Sequence, residues 1–340
     1  MLTRALLMAS AAALWAAPAM ADSPTLNKVR AAGTLKCGVV STPEDWNKDD
    51  LHGTLAPLSI EMCKAVSVAA LGAKAAATIV SYPSELAAEE GLSKGDVDVG
   101  MGLSVGVTAM WHWSIAFGPP IFYDAQGVVV RRDANAHKLA DLSGMNVCVV
   151  NGTDNEAILQ ARTIPKGIPI NPLSFQEEGE MDDGLAVRHC DAISAMLSRI
   201  AQIKAAYGQQ IGNDTVLPDM LTLSPVAPAY RQGDAQWGMI VDWTIHSLVQ
   251  AEASGITRAN VGSMETSDDP IVLRLLGLDW ATSRALGLEA HDWAAQVIAV
   301  VGNYGEIYER TLGEQSDLRM PRGLNRLWLD GGLMHPLPVQ

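Results

Sequence analysis

The sequence predicts a two-lobe α/β protein, and three observations support this fold class. Short β-branched runs alternate with helical runs, an order that gives mostly parallel sheets flanked by helices. A chain of 340 residues is long for one ordinary core and suits two. The chain would pass between the lobes at two crossings, near residues 125–130 and 222–228, which would serve as hinge strands. These crossings would divide it into a discontinuous lobe 1 (22–127 plus 226–340) and a continuous lobe 2 (128–225).

The first elements follow from apolar periodicity and from capping residues. Helices are predicted where apolar residues recur at helical spacing and a glycine then ends the run. Ser84 is in addition a side-chain cap for the third helix. Strands are predicted in the short β-branched runs between them. In order, these elements are helix 26–32, strand 34–40, helix 58–71, strand 76–82, the helix between Ser84 and Gly95, and strand 97–101.

The later elements follow the same pattern, with prolines separating the segments of the middle region. An apolar strand is predicted at 124–130, at the first crossing between the lobes. A second strand, 146–150, leads into the turn 151–154, which opens a helix through Leu159. Long helical runs then return. We predict them at 237–254, 270–278 and 291–312.

An export signal begins the chain. Arg4 gives a positive start, Ala5 to Ala17 is a nearly unbroken apolar run, and Ala19-Met20-Ala21 is a small-x-small cleavage site. We therefore predict a signal peptide at residues 1–21, with cleavage between Ala21 and Asp22. This places the mature protein in a bacterial-type periplasm.

The composition excludes several classes of function. A formal net charge of −14 argues against binding to nucleic acid or to anionic membrane surfaces, both of which require clusters of Lys and Arg. Beyond the signal peptide, no apolar run approaches the roughly 18 residues that span a bilayer. We expect an acidic monomer.

After export, the four cysteines would be in an oxidising compartment. They are Cys37, Cys63, Cys148 and Cys190. Zinc sites use shorter spacings between ligands, so two disulfides are favoured over a metal site. Four cysteines allow three pairings, of which the local one would place one disulfide in each half of the chain. We predict no metal, no cofactor and no catalytic residue.

Motifs along nearly the whole mature chain resemble one family, the periplasmic amino-acid-binding components of ABC transporters, especially the long general L-amino-acid type. The matching segments are 33–39, 63–66, 95–99, 122–127, 147–149, 190–191, 230–234, 236–237, 255–261, 301–310, 322–325 and 331–333. The resemblance implies the pairing Cys37–Cys63 and Cys148–Cys190. It further implies a type II clamshell that closes on a small polar solute, such as an amino acid or a derivative, and docks on an inner-membrane permease.

The expected ligand pocket departs from that family in its charges. Members hold the ligand α-carboxylate with an Arg after the strand that ends in Gly-Asp-Val-Asp-Val, and this position falls at or near Gly102. The Thr-rich helix start that also binds this carboxylate becomes Gly152-Thr153-Asp154, which adds an acid. The Asp that takes the α-ammonium aligns with Met196. We therefore expect a neutral, cationic or differently shaped ligand instead of a free amino acid in the usual pose.

Other candidates lie around this pocket, and alternatives remain open. Ser104 follows Gly102 in the same stretch, and Trp111 is either a stacking platform facing the cleft or part of a packed loop. Trp46 lies after the first strand, at the edge where α/β sheets bind ligands. Alternatively, the alignment is displaced by a residue, or Arg188 or Arg199 compensates for the missing charge.

Two other functions are compatible with the same fold. One is a divergent binding or sensing protein for a ligand that is not an amino acid, or an accessory to a periplasmic enzyme. The other is a periplasmic dehydratase, which would need a positioned acid and base.

Overall fold

The computed structural model describes residues 23–41, 55–277 and 280–338. The predicted signal peptide and Trp46 lie outside the described residues. None of the helices in this part of the chain is both long and apolar enough to cross a bilayer.

Helices cover both faces of two sheets. The α-helices of the described residues are α1 Pro24–Ala32, α2 Ala56–Leu71, α3 Glu85–Lys94, α4 Val107–Trp113, α5 Asp154–Thr163, α6 Glu178–Ala186, α7 Leu197–Ala206, α8 Ala235–Ala253, α9 Pro270–Leu275, α10 Ala281–Leu286, α11 Trp293–Val301 and α12 Tyr304–Thr311.

The strands form two mixed sheets, which confirms the predicted fold class. They are β1 Leu35–Val40, β2 Ala77–Tyr82, β3 Val99–Ser104, β4 Ile115–Phe117, β5 Phe122–Asp124, β6 Gln126–Val130, β7 Asn146–Val150, β8 Asn171–Phe175, β9 Ala192–Met196, β10 Thr215–Val216 and β11 Ser224–Arg231. Sheet A has the order β2-β1-β3-β11-β4, with β5 also paired to β11, and sheet B has the order β10-β6-β9-β7-β8. In sheet A, β1 is parallel to β2 and β3; in sheet B, β7 is parallel to β8 and β9.

Capping residues set several helix boundaries as the sequence predicted. The Ser84 hydroxyl accepts a hydrogen bond from the backbone N–H of Ala87 at 3.2 Å, so α3 begins where expected. Gly33 and Gly95 follow α1 and α3 in the left-handed conformation, with φ of 65° and 83°. A residue without a Cβ adopts this conformation without strain, and the helices end there.

Two predicted elements are each divided in the structure. The helix expected over 291–312 is two helices, because Gly302 leaves helical geometry with φ of 80° and Asn303 forms a capping box with Glu306 that starts α12. The strand expected over 124–130 is also two strands, β5 in sheet A and β6 in sheet B. Both corrections have a local cause, a new cap in the first case and a change of sheet in the second.

Both disulfides connect a strand to neighbouring structure, and the local pairing is confirmed. Cys37 of β1 is bonded to Cys63 of α2, with Cα atoms 6.0 Å apart. Cys148 of β7 is bonded to Cys190, just before β9, with Cα atoms 5.8 Å apart. All four residues are fully buried. Each bridge therefore fixes the core next to one of the two sheets.

The chain passes between the sheets along two hydrogen-bonded segments. It leaves sheet A at Asp124, enters sheet B at Gln126, and returns between β10 and β11. The two segments run antiparallel, since β10 pairs with β6 and the start of β11 pairs with β5. Closure between two such lobes would bend these two segments together. The predicted lobe boundaries lie close to these crossings and stay a prediction.

Candidate functional site

Open α/β sheets bind ligands outside the carboxyl ends of their parallel strands. In sheet A these are the ends of β1, β2 and β3, and in sheet B the ends of β7, β8 and β9. Apart from Trp46, the predicted ligand residues lie near three of these ends. Gly102, Ser104 and Trp111 are in or follow β3, Gly152 to Asp154 follow β7, and Met196 ends β9.

Ser104, the last residue of β3, is bound to an acid of the neighbouring helix. Its hydroxyl donates to Glu85 Oε1 at 2.9 Å, and its backbone N–H donates to Oε2 of the same carboxylate at 3.2 Å. Glu85 is the first residue of α3, which follows the end of β2. An acidic group therefore stands at this edge of sheet A, on a polar frame that holds its orientation.

Trp111 presents an exposed aromatic face on α4, the helix that follows β3. It lies on α4, which has no buried residue, and its side chain is 81% exposed. Val107 is 79% exposed and precedes it by one helical turn, so the two side chains share a face. The packed-loop alternative for Trp111 does not fit this exposure. An uncovered indole and valine instead provide an apolar surface for stacking.

Gly102 lies in β3 in a conformation that leaves little room for a side chain. Its φ is 79°, and a Cβ there would lie 2.2 Å from the Ser59 hydroxyl oxygen of α2. An Arg at this position would have to displace Ser59 and adopt a left-handed backbone. Position 102 therefore supplies no charge, and the Ser59 hydroxyl occupies the space that a side chain there would need.

The start of α5 has no side-chain cap and carries a carboxylate in its first turn. Gly152 adopts φ of 75°, with open space where a Cβ would be. Thr153 is the N-cap residue, but its hydroxyl donates to Val150 O at 2.8 Å instead of capping the helix. Asp154, exposed in the first turn, opposes a second anion at the positive end of the helix. Glu156, also in the first turn, accepts from the Ser174 hydroxyl at 2.9 Å.

Met196 ends β9 and is the N-cap residue of α7, where it is half-buried. It pairs with Gln126 across β6 and β9. The thioether supplies no charge at this position, so an ammonium group would find no carboxylate here. Asp124, one residue before the crossing, instead accepts hydrogen bonds from the backbone and hydroxyl of Ser198 in the first turn of α7. Burial raises the pKa of this Asp124 carboxyl, against the effect of those hydrogen bonds.

The two arginines that could compensate are already engaged by acids. Arg188 is paired with Asp133 at 3.1 Å. Arg199, in the first turn of α7, is bound by Asp182 and by Glu178, the latter at 3.1 Å. Burial raises the pKa of Asp182 to about 6, while Arg199 acts in the opposite direction. Both guanidinium groups are thus already paired with carboxylates of this chain, Arg188 at an exposed position and Arg199 at a largely buried one.

The charge of both sheet edges is therefore acidic. Among the described residues at the carboxyl ends of the parallel strands β1, β2, β3, β7, β8 and β9, and in the first turns of the helices that follow them, Arg199 is the one Lys or Arg. The carboxylates in the same first turns are Glu85, Asp154, Glu156, Glu178 and Glu180. Glu89 lies one turn behind Glu85, and burial raises its pKa, with the Glu85 charge adding to the effect. No group of three or more His, Cys, Asp or Glu residues in the described part could hold a metal ion.

A cavity of about 300 Å³ lies elsewhere, among α8, α9, α10 and α11. Its walls are mainly apolar and include Met239, Trp243 and Trp293. None of the predicted ligand residues lines this cavity. It belongs to the helical layer of sheet A and not to the strand ends.

Glu85 and Glu156 were not singled out from the sequence, although a signal for each exists. Glu85 directly follows the recognised cap Ser84, and Glu156 lies two residues after the candidate Asp154. The carboxyl ends of neighbouring parallel strands lie at one edge of a sheet. Glu85 therefore belongs to the edge of sheet A with Ser104, and Glu156 to the edge of sheet B with Asp154.

Comparison with known proteins identifies relatives over nearly the whole chain. The General L-amino acid-binding periplasmic protein AapJ of Rhizobium johnstonii is 36% identical, over 97% of this chain and 97% of the relative. The Glutamate/glutamine/aspartate/asparagine-binding protein BztA of Rhodobacter capsulatus is 31% identical, over 94% of each chain. A periplasmic binding protein of an ABC transporter from Brucella ovis, solved with glutathione bound, has a TM-score of 0.76 and 31% identity, covering 93% of this chain and 99% of that one. No family model matches the sequence.

Proposed function

Because the chain belongs to the periplasmic amino-acid-binding components of ABC transporters, which deliver small solutes to a membrane permease, we propose that its ligand presents a neutral or cationic group to the two sheet edges. A free acidic amino acid would present the opposite charge there. The proposal concerns the chemical class of the solute within the family.

The observation that carries the proposal is the absence of a free cation among the described residues of both edges. A carboxylate ligand bound beside Asp154 and Glu85 would lose its hydration without gaining a charged partner. Losing one buried, charge-assisted contact costs about 2 to 5 kcal/mol. This corresponds to roughly 30-fold to several-thousand-fold in affinity.

The exposed face of α4 supports a ligand with an apolar or flat part. Trp111 and Val107 offer an uncovered surface on which such a part can stack. An indole face also attracts cations, as do the acids nearby. A small amine with an apolar or planar portion satisfies both features.

The relatives indicate which solutes to test first. AapJ is named for general L-amino acids, BztA for acidic amino acids and their amides, and the Brucella ovis protein holds glutathione. Glutathione and glutamate both carry carboxylates, so the acidic edges of this chain argue against both. The ligand of this protein would then differ from those of its relatives.

Isothermal titration with matched compounds tests the proposal. L-Arginine and agmatine share the guanidinium and the carbon chain, but agmatine lacks the α-carboxylate. We expect agmatine to bind at least tenfold more tightly than L-arginine, and L-glutamate, L-leucine and glutathione to show no micromolar binding. Asp154→Asn should weaken the binding of agmatine, because it removes a carboxylate from the α5 start.

Two results would contradict the proposal. One is micromolar binding of several free amino acids; the other is an unchanged agmatine affinity in Asp154→Asn. Asp330→Asn, an exposed acid in the tail, is the matched control for general charge. We further propose that the protein is not an enzyme. Chemical turnover of a bound solute would refute this.

A further inference from the structure

Gln126 occupies the point at which the chain enters sheet B. It is the first residue of β6 and is fully buried. Its backbone N–H donates to the Thr222 hydroxyl at 3.2 Å, and its carbonyl accepts from the N–H of Leu221 at 2.8 Å. Leu221 and Thr222 belong to the second crossing. The main chain of Gln126 therefore joins the two crossing segments to each other.

The side chain of the same residue reaches the start of α5. Its Nε2 donates to the backbone carbonyl of Asn155, the second residue of the helix, at 2.8 Å. It also lies 2.9 Å from the Ser194 hydroxyl of β9, which donates to Gly127 O. One buried residue thus contacts both crossings, the neighbouring strand and the helix that carries Asp154.

The amide oxygen of Gln126 is buried and has no hydrogen-bond partner among the described residues. Buried acceptors in proteins are nearly always paired, so this unpaired oxygen leaves the amide able to accept one more hydrogen bond. The side chain is therefore held at this point through its Nε2 donor group alone.

We propose that Gln126 is a positioning residue that couples the start of α5 to the angle between the two sheets. A ligand at the α5 start acts through the Asn155 carbonyl and the Gln126 amide on both crossing segments at once. The inference rests on the proposed function in placing the ligand at this helix, but the coupling itself is a property of the ligand-free protein.

The test uses the mature protein without added ligand. Gln126→Met keeps the length of the side chain and removes all its hydrogen bonds. Nitroxide labels are attached at Val187→Cys, at the end of α6 beside sheet B, and at Ile271→Cys, on α9 in the helical layer of sheet A. Both positions are exposed, and the distance between the labels reports the arrangement of the two sheets. Because the native cysteines are paired in disulfides, the nitroxide reagent reacts only with the introduced cysteines.

Two changes are expected together in Gln126→Met. Amide exchange in the first two turns of α5 rises at least tenfold, and the width of the label-to-label distance distribution at least doubles. Thr222→Val is the control: it removes the hydroxyl that accepts from the backbone N–H of Gln126 but leaves the hydrogen bonds of the Gln126 side chain. It should keep amide exchange in α5 within twofold of wild type. If Gln126→Met does not fold, Gln126→Glu removes the Nε2 donor while keeping the shape, with the same expected outcome.

Faster α5 exchange with an unchanged distance distribution would overturn the coupling, because it would show a purely local structural role. Unchanged values of both quantities would overturn it as well. Since neither measurement uses a ligand, failure here is distinct from failure of the proposed ligand class.

Discussion

Replacing Arg322 should destabilise the part of the protein built on sheet A by about 3 to 4 kcal/mol. Its guanidinium forms a two-point pair with Glu252, and both side chains are only 16% exposed. It donates twice to the carbonyl of Asn325, at 2.7 and 3.1 Å. It also lies over the rings of Tyr304 and Tyr308, 5.3 and 5.2 Å from their centroids.

The magnitude follows from what Arg322→Ala leaves behind. Removing one partner of a buried ion pair costs about 3 to 5 kcal/mol, because the other charge stays desolvated and unpaired. Residual exposure of Glu252 moves the estimate toward the lower limit, and the unsatisfied Asn325 carbonyl adds to it. Asn325 also binds the backbone of Tyr123 through both its amide atoms, so β5 should loosen with it.

Urea unfolding under oxidising conditions measures the effect. Arg326→Ala is the matched control, since Arg326 is exposed and donates only to Gly323 O; it should cost less than about 0.5 kcal/mol. In a double-mutant cycle, Glu252→Ala should cost at least about 1.5 kcal/mol less when Arg322 is already absent. If Arg322→Ala stays within about 1 kcal/mol of Arg326→Ala, the reasoning fails.

Three further predictions concern acid, histidine and glycine positions. Burial raises the pKa of Asp242 from 3.8 to about 6, so the folded state retains a proton that the unfolded state has lost, and stability falls as pH rises from about 4 to 6. In unfolding measurements, Asp242→Asn should remove this pH dependence and raise stability at pH 7.5 by about 2 kcal/mol. Persistence of the same pH dependence in the variant would refute the prediction. Burial lowers the pKa of His246 from 6.5 to about 4, so the stability from the hydrogen bond that its ring accepts from the N–H of Leu337 is lost as pH falls through that range. His246→Asn should abolish this loss. An unchanged decrease of unfolding free energy between pH 6.5 and 4 would count against the prediction. Gly102→Ala should destabilise by about 1 to 3 kcal/mol, with a smaller cost when Ser59→Gly is also present; equal costs would show that the contact with Ser59 is unimportant.

The sequence was sufficient where local rules act alone. Ser84 and Gly95 define α3 in the sequence because a cap and a left-handed glycine act within one turn of the chain. The disulfide partners followed from a whole-chain resemblance, since four cysteines by themselves allow three pairings. The break at Gly302 could have been recognised, because Asn303 and Glu306 have the spacing of a capping box.

The remaining features depend on tertiary position. No pattern in the sequence shows that the Cβ of residue 102 would meet Ser59, because the two lie in different elements. The engagement of Arg199 by Asp182 likewise needs two helices side by side. Gln126 was part of a recognised segment, but its role depends on the packing of α5 and β9 around it.

The most direct test of the charge assignment is native mass spectrometry of gently purified protein, since such proteins often retain their solute. The assignment predicts a bound mass that belongs to a neutral or cationic compound without an α-carboxylate. Retained glutamate or leucine would contradict it.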